Sequence, residues 1–160
     1  MADPEKGNTQ MQRTLVLIKP DAIQRGLAGE VISRIERKGL KIVGAKMVLV
    51  SEELARRHYE AHLDRPFFPS LLEFITSSPI IALAVAGPGA IDITRLVMGA
   101  TNPKEATPGS IRGDLALTVG PNLIHGSDSE QAAARELDLF FGEDELFEYE
   151  RDIDRWIIES

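Results

Sequence analysis

Asn122-Leu-Ile-His-Gly-Ser-Asp128 holds one of the chain's three histidines among small and hydrogen-bonding residues. An imidazole can act as base, metal ligand or nucleophile. Gly126, directly after His125, carries no Cβ and is expected to let another molecule approach the ring. Ser127 and Asp128 offer groups that could orient the imidazole or bind a partner. The plain alternative is a histidine in a loop after a strand, and the segment alone leaves both readings open.

The other chemistry-bearing residues are dispersed. His58 and His62 stand at i, i+4 in His-Tyr-Glu-Ala-His. That spacing can hold a metal, but the glutamate is displaced from the His-Glu-x-x-His order and no third ligand lies nearby. The pair is expected to be solvated or at an interface, so that replacing either leaves the chemistry intact. Lys19, Arg95, Lys104 and Arg112 gather around a stretch rich in Gly, Pro, Thr and Asn, with Thr101, Asn102 and Ser110. Scattered surface charge is the ordinary fate of such residues. Their concentration around Gly99–Asp114 favours an anion-binding lid, since arginine suits forked phosphate contacts. Phe67-Phe68, read unaided, belongs to the core. There is no P-loop, and no Gly-x-Gly-x-x-Gly follows a strand.

These groups need a scaffold. Thr14–Lys19 is a short apolar, β-branched run closed by Pro20-Asp21, and reads as a buried strand. A helix over Leu27–Lys38 ends at Gly39, and Lys41–Val50 reads as a second strand. Ser51 caps the next helix, which Pro66 interrupts, and Phe67–Thr76 forms another. Ile80–Ala86 is a third strand and Gly89–Met98 a helix. Gly99–Asp114 is a loop, Leu115–Val119 a fourth strand, and Ser129–Phe141 the last helix. The order β-α-β-α-α-β-α-β-α suits a ferredoxin-like βαββαβ core with insertions, a doubly wound parallel sheet being the alternative.

The chain has 160 residues, 43% hydrophobic and 27% charged, which suits one domain over residues 1–160. Residues 1–12 read as a flexible extension and 142–160 as a tail whose apolar residues should dock in part. There are no cysteines, which excludes disulfides, thiolate metal sites and a cysteine nucleophile. No apolar stretch approaches the ~18 residues of a membrane span, and the expected location is cytoplasmic. The net charge of −7 is concentrated at the end: residues 129–160 hold 11 acidic and 3 basic side chains. That balance argues against a general nucleic-acid footprint, but not against a small anion held by local cations.

Several blocks in order complete the pattern: Thr14–Gly26, His58-Tyr59 with Arg65–Phe68, Gly99–Pro103, Pro108–Asp114 and Asn122–Asp128. Together they closely resemble nucleoside diphosphate kinases, over about residues 12–158. The resemblance implies an α+β ferredoxin-like sandwich, with a four-stranded antiparallel sheet, covering helices and a C-terminal extension. It implies transfer of the γ-phosphate of a nucleoside triphosphate to a nucleoside diphosphate, ping-pong, through a phosphohistidine on His125. Ser127 and Glu136 would orient His125, and Tyr59 would stand near the transferred group. Lys19 and Asn122 would contact sugar hydroxyls and phosphates. Arg95, Thr101 and Arg112 would hold phosphates, and Phe67 would stack on the base with Leu71 and Val119 nearby. The implied cofactor is Mg²⁺, bridged by nucleotide phosphates and water rather than a protein cage. The implied partners are ribo- and deoxyribonucleoside di- and triphosphates, with no membrane and no required nucleic acid, in a homo-hexamer.

The chain departs from that pattern at Ala22, Val85-Ala86, Ala100 and Leu115, none of them a position given a catalytic role. A catalytically silent scaffold with the same fold, binding proteins or nucleic acid, is the alternative. The joint presence of His125, Lys19, Arg112 and Asn122 weighs against it. A ferredoxin-like RNA-binding module would need a basic strand with stacking aromatics, which is missing.

Overall fold

A computed structural model describes residues 10–159. Four strands form one sheet: β1 (Met11–Ile18), β2 (Lys41–Val48), β3 (Ile80–Pro88) and β4 (Ile124–Gly126), in the order β2-β3-β1-β4. Every neighbouring pair is antiparallel. This is the ferredoxin-like arrangement, and it rules out the parallel alternative. β1 and β2 run the same way with β3 between them, and β3 and β4 run the same way with β1 between them.

The central strand explains its own composition. Leu15, Val16, Leu17 and Ile18 are all fully buried, because β1 is covered on both faces. A strand buried on both sides reads as a continuous apolar run rather than an alternation. Leu15 and Leu17 face one layer of the core, with Ala55, Ile75, Leu137 and Phe140. Those residues belong to α3 (Glu52–His58), α4 (Phe68–Thr76) and α7 (Glu130–Phe140). Val16 and Ile18 face the other layer, with Ala22, Val31, Ile35, Met98 and Ile111. These come from α1 (Pro20–Gln24), α2 (Ala28–Arg37), α5 (Ala90–Met98) and α6 (Ile111–Leu115). Ser51 caps α3 by accepting the Leu54 N–H at 3.1 Å.

One element differs from the sequence expectation. Leu115–Val119 is not a strand: Ile111–Leu115 is α6, and Leu117 beyond it is 83% exposed. Leu115, Leu117 and Val119 alternate as a half-buried strand would, but the open edge of β1 is taken by Ile124–Gly126. Ser110 caps α6 through the Gly113 N–H at 3.0 Å, which ends the Gly99–Asp114 loop early in a helix. The fourth strand is therefore the segment that carries His125. It is three residues long, too short for periodicity to reveal.

The expected N-terminal extension falls mainly outside the described residues, and Met11 and Gln12 belong to β1. The tail docks in part. Phe147 N donates to Val43 O at 2.9 Å, the Tyr149 hydroxyl to Ile42 O, and Arg151 to the carbonyls of Gly39 and Leu40. Trp156 is left 79% exposed. No described helix is long and apolar enough to cross a membrane.

Candidate active site

β4 presents His125 by simple alternation. Ile124 and Gly126 face α5, and His125, opposite Leu17 of β1, faces α3 and α7. Its Nε2 is hydrogen-bonded to the Glu136 carboxylate of α7. Nδ1 makes no hydrogen bond among the described residues. Gly126 has a different purpose from the one its position suggested. A Cβ there would come within 2.5 Å of Met98 Sδ and 3.3 Å of Thr94 Cγ2. Its bareness lets β4 lie on α5 and gives a ligand no added access to the ring.

The chain enters β4 through Leu123, the single non-glycine residue with positive φ (77°) among those described. A branched, fully buried side chain in that conformation costs of order 1–3 kcal/mol and persists only where its surroundings hold it. They do so from both sides: Leu123 N donates to Asp21 Oδ2 at 3.0 Å, and Leu123 O accepts the Lys19 N–H at 2.9 Å. The start of α1 is thereby pinned to the start of β4. The same pin brings two candidate site side chains together, for Lys19 Nζ donates to Asn122 Oδ1 at 2.7 Å. Asn122 Nδ2 then donates to the Thr101 carbonyl at 3.1 Å.

Arg112 ties the third wall. Its Nε, Nη1 and Nη2 donate to the carbonyls of Asn122 (3.2 Å), Gly99 (3.1 Å) and Ile124 (2.6 Å). A guanidinium has five N–H groups, so these three bonds leave donors for an anion. Arg95 is exposed and donates to Gly126 O at 3.2 Å. Burial depresses the Lys19 ammonium to about 8, with Asp21 opposing and Arg112 adding to the effect. Burial, with Arg95 nearby, lowers Arg112 to about 10. Both remain cations at neutral pH. Burial and the adjacent Glu136 push the Tyr59 hydroxyl up, so it stays a neutral donor.

These groups surround one cleft of about 510 Å³. Lys19, Arg95, Thr101, Arg112 and Asn122 form one side, and His125, Glu136, Tyr59 and Leu71 lie on the lining as well. A wider groove of about 820 Å³ runs past Arg34, Arg37 and Lys38 and holds none of the histidines. Phe67 is half exposed, one helical turn before Leu71, and Val119 is similarly exposed in its loop. Neither lines the cleft. Ser127 is buried and its Oγ has no partner in the structure, so it makes no hydrogen bond to the His125 ring.

Two residues were missed at the sequence level. His58 was paired with His62 and expected to be solvated or at an interface. Instead it is 6% exposed, with its ring centroid 4.8 Å from that of His125. Arg135, on α7 beside Glu136, donates to the carbonyls of Arg57 (3.0 Å) and His58 (3.3 Å). The available signal was its isolation, since it is the one basic residue between 129 and 150.

A single described cluster offers three metal-capable side chains: His58, His125 and Glu136, with ligand atoms within 4.8 Å of one another. Two imidazoles and one carboxylate suit a transition metal, not magnesium, which takes oxygen ligands. The cleft fits Mg²⁺ only as a companion of phosphate. Its cationic wall would take some phosphate oxygens and leave others to the ion, and Asp128 and Glu136 are the carboxylates on the lining.

Comparison with known proteins agrees with this geometry. The profile of one family, Nucleoside diphosphate kinase, matches residues 12–146. A nucleoside diphosphate kinase of Staphylococcus haemolyticus is 59% identical over 149 residues, covering 93% of this chain and all of that protein. One from Thermomicrobium roseum is 58% identical over 148 residues, covering 92% and 99%. Among solved structures, a halophilic nucleoside diphosphate kinase from Halobacterium salinarum in complex with CDP superposes with a TM-score of 0.91 at 49% identity, covering 94% of this chain and 100% of that one. A fold with a pinned β4 histidine and a cationic cleft, and relatives alike over nearly their full length, lead to one conclusion: the chain belongs to the nucleoside diphosphate kinase family, enzymes that transfer phosphate between nucleotides.

Proposed function

We propose that His125 is the phosphate carrier and that its Nδ1 is the reacting atom. The observation that supports this is the hydrogen bond between His125 Nε2 and Glu136, which commits one ring nitrogen and leaves Nδ1 its lone pair. Nδ1 attacks the γ-phosphorus of a nucleoside triphosphate. The new P–N bond forms as the bond to the β,γ-bridging oxygen breaks, and the nucleoside diphosphate leaves with that oxygen. A second nucleoside diphosphate then attacks the phosphorus through a terminal β-phosphate oxygen and restores the imidazole. Glu136 offsets the positive charge that develops on the ring in each half-reaction.

Phosphoryl transfer asks mainly for positioning and charge neutralisation. In this reading Lys19, Arg95, Arg112 and Thr101 hold phosphates, and Lys19 with Asn122 holds the sugar hydroxyls. Tyr59 donates to the group in transit. Phe67, Leu71 and Val119 border the base, and Ser127 supports the segment behind His125. Mg²⁺ supplies charge neutralisation when bound with the phosphates. The substrates are ribo- and deoxyribonucleoside di- and triphosphates, met in the cytoplasm, with no nucleic acid required.

The proposal includes a homo-hexamer with residues 1–160 as one domain. Exposed apolar side chains on the edge strand and tail, Met47, Phe147, Ile153 and Trp156, favour a further interface. A light-scattering mass of a monomer or tetramer would contradict the hexamer.

The carrier role is tested by incubation with ATP and Mg²⁺ in the absence of acceptor. One phosphate per subunit should be retained and ADP released. The label should be labile in acid, where ring protonation improves the leaving group, and persist in alkali. His125→Ala should lose both label and nucleotide exchange. An acid-stable label, or full exchange in His125→Ala, overturns the mechanism.

A further inference from the structure

His58 closes α3 beneath the cleft, and three rings meet there. Its imidazole stands edge-on to His125 (83° between planes), to Phe140 of α7 (88°, centroids 5.3 Å apart) and to Tyr59 (70°, 4.5 Å). It is buried, yet its Nδ1 has no hydrogen-bond partner. Burial lowers its basicity strongly, and the charges of His125, Arg135 and His62 lower it further, so it stays neutral. Core filling alone does not explain such a residue. A leucine would fill the space without burying an unsatisfied polar atom, but it would set no ring against His125.

The neighbours show what the ring does. Adjacent residues of α7 hold the two histidines from one side: Glu136 bonds the His125 ring, and Arg135 donates to the backbone carbonyls of Arg57 and His58 at the end of α3. Glu136 alone fixes only one atom of His125, and a single hydrogen bond leaves the ring free to tilt about it. The His58 edge against the His125 ring removes that freedom.

We propose that His58 is a positioning residue for phosphoryl transfer, holding the plane of the His125 ring so that Nδ1 is aligned with the γ-phosphorus. The proposal rests on His125 being the carrier. His58 contacts neither nucleotide nor phosphate in this role. Its contribution belongs to the chemical step and not to substrate binding, because in-line attack tolerates little misalignment.

The test compares His58→Phe, His58→Leu and His58→Ala in the full-length protein. Two quantities are read: the single-turnover rate constant for phosphorylation by ATP with Mg²⁺, and the equilibrium Kd for ADP. Phe keeps a ring edge, and Leu keeps bulk without one. Leu and Ala should slow phosphorylation by roughly ten- to a hundredfold, the range expected for a misplaced reacting group. Their Kd for ADP should stay within about twofold of the wild type. His58→Phe should phosphorylate close to the wild-type rate.

Several results overturn the proposal. His58→Leu at the wild-type rate would make the ring dispensable. His58→Phe as slow as His58→Ala would make ring packing irrelevant. Equal losses of rate and ADP affinity would indicate a general loss of structure. Failure of both Leu and Ala to fold would reduce His58 to a core residue. The carrier reading fails separately, if the wild-type protein takes up no acid-labile phosphate at all.

Discussion

The two ends of the cleft are built differently. At the proposed phosphate end the buried contacts are already held: Lys19 by Asn122, Asn122 by the Thr101 carbonyl, and Arg112 by three carbonyls from two loops and β4. Lys19, Arg112 and Asn122 are all buried. At the base end, Phe67 and Val119 are half exposed and make no side-chain hydrogen bond, as their apolar side chains require. Preorganised donors in a partly desolvated site stabilise developing charge without moving. An exposed apolar rim can accept a flat base of any kind. In the proposed reading the difference would let one site serve chemically varied nucleotides: the part common to all of them would meet the rigid wall, and the part that varies the loose one.

Arg112→Ala is the most direct way to break that contrast, and the largest effect is expected from it. The substitution removes a proposed phosphate donor and takes the guanidinium bond from the carbonyls of Gly99 and Ile124, while that of Asn122 keeps the Ile124 N–H at 3.0 Å. Each buried orphan costs ~1–3 kcal/mol, and a charged hydrogen bond to phosphate is worth ~1.5–3 kcal/mol. We expect kcat/KM to fall by about two orders of magnitude or more, together with a clear drop in Tm. Arg112→Lys should rescue neither, because an ammonium on a flexible stem cannot reproduce three forked bonds. Full activity in Arg112→Lys would show that only the charge matters and that the wall is not preorganised.

A medium effect is expected from pH at Lys19. The ammonium is depressed from 10.5 to about 8 by burial. An incoming polyphosphate favours the charged form, so binding should draw a proton onto Lys19. By linkage, affinity for ADP should fall as pH rises through about 8, the lysine value in the free protein. Folding carries the opposite sign. The unfolded chain holds this proton more tightly, so the penalty of burying the cation is relieved as pH climbs from about 8 towards 10.5. Calorimetric titration with ADP in two buffers of different ionisation enthalpy, near pH 8, should reveal proton uptake. Lys19→Gln should abolish the uptake. Equal enthalpies in both buffers would place Lys19 outside the phosphate site.

How far these features could be read without coordinates follows from their physical range. The β1 run was legible because burial on both faces writes itself into consecutive residues. The caps at Ser51 and Ser110 differ instructively: Ser51 precedes a helix of seven residues and was read, whereas Ser110 caps only five and was not. β4 was misplaced because Leu115, Leu117 and Val119 imitate a strand better than the real one does. Asn122 to Asp128 was legible as a motif because it is contiguous, yet the purpose of Gly126 depends on Met98 of a distant helix. Lys19 and Arg112 were legible as cations around the Gly99–Asp114 stretch, but Asn122 and the joining of the three into one wall came from resemblance, for no periodicity joins a strand end, a loop and a short helix. His58 was misread because its nearest histidine in sequence, His62, is not its partner in space.

The smallest effect should come from the loose end of the cleft, and its smallness is the point. Stacking on an aromatic ring contributes ~1–3 kcal/mol per base and is nearly blind to the base's identity. Phe67 is half exposed, so its contribution belongs at the low end of that range. Phe67→Ala should therefore raise KM by roughly five- to tenfold for ATP, GTP, CTP and UTP alike, about 1 kcal/mol each, with kcat little changed. In the wild-type protein kcat/KM should vary modestly across the four. A site that hydrogen-bonds a base edge could instead discriminate by ~10⁴ or more, because the rejected base leaves buried polar groups unpaired. The cleft lining near Leu71 includes no asparagine or glutamine at the base end, and Asn122 is already committed to Lys19 and Thr101. A preference on the order of a thousandfold for one base would require such an edge contact, and would show that the rim around Phe67 is as preorganised as the phosphate wall.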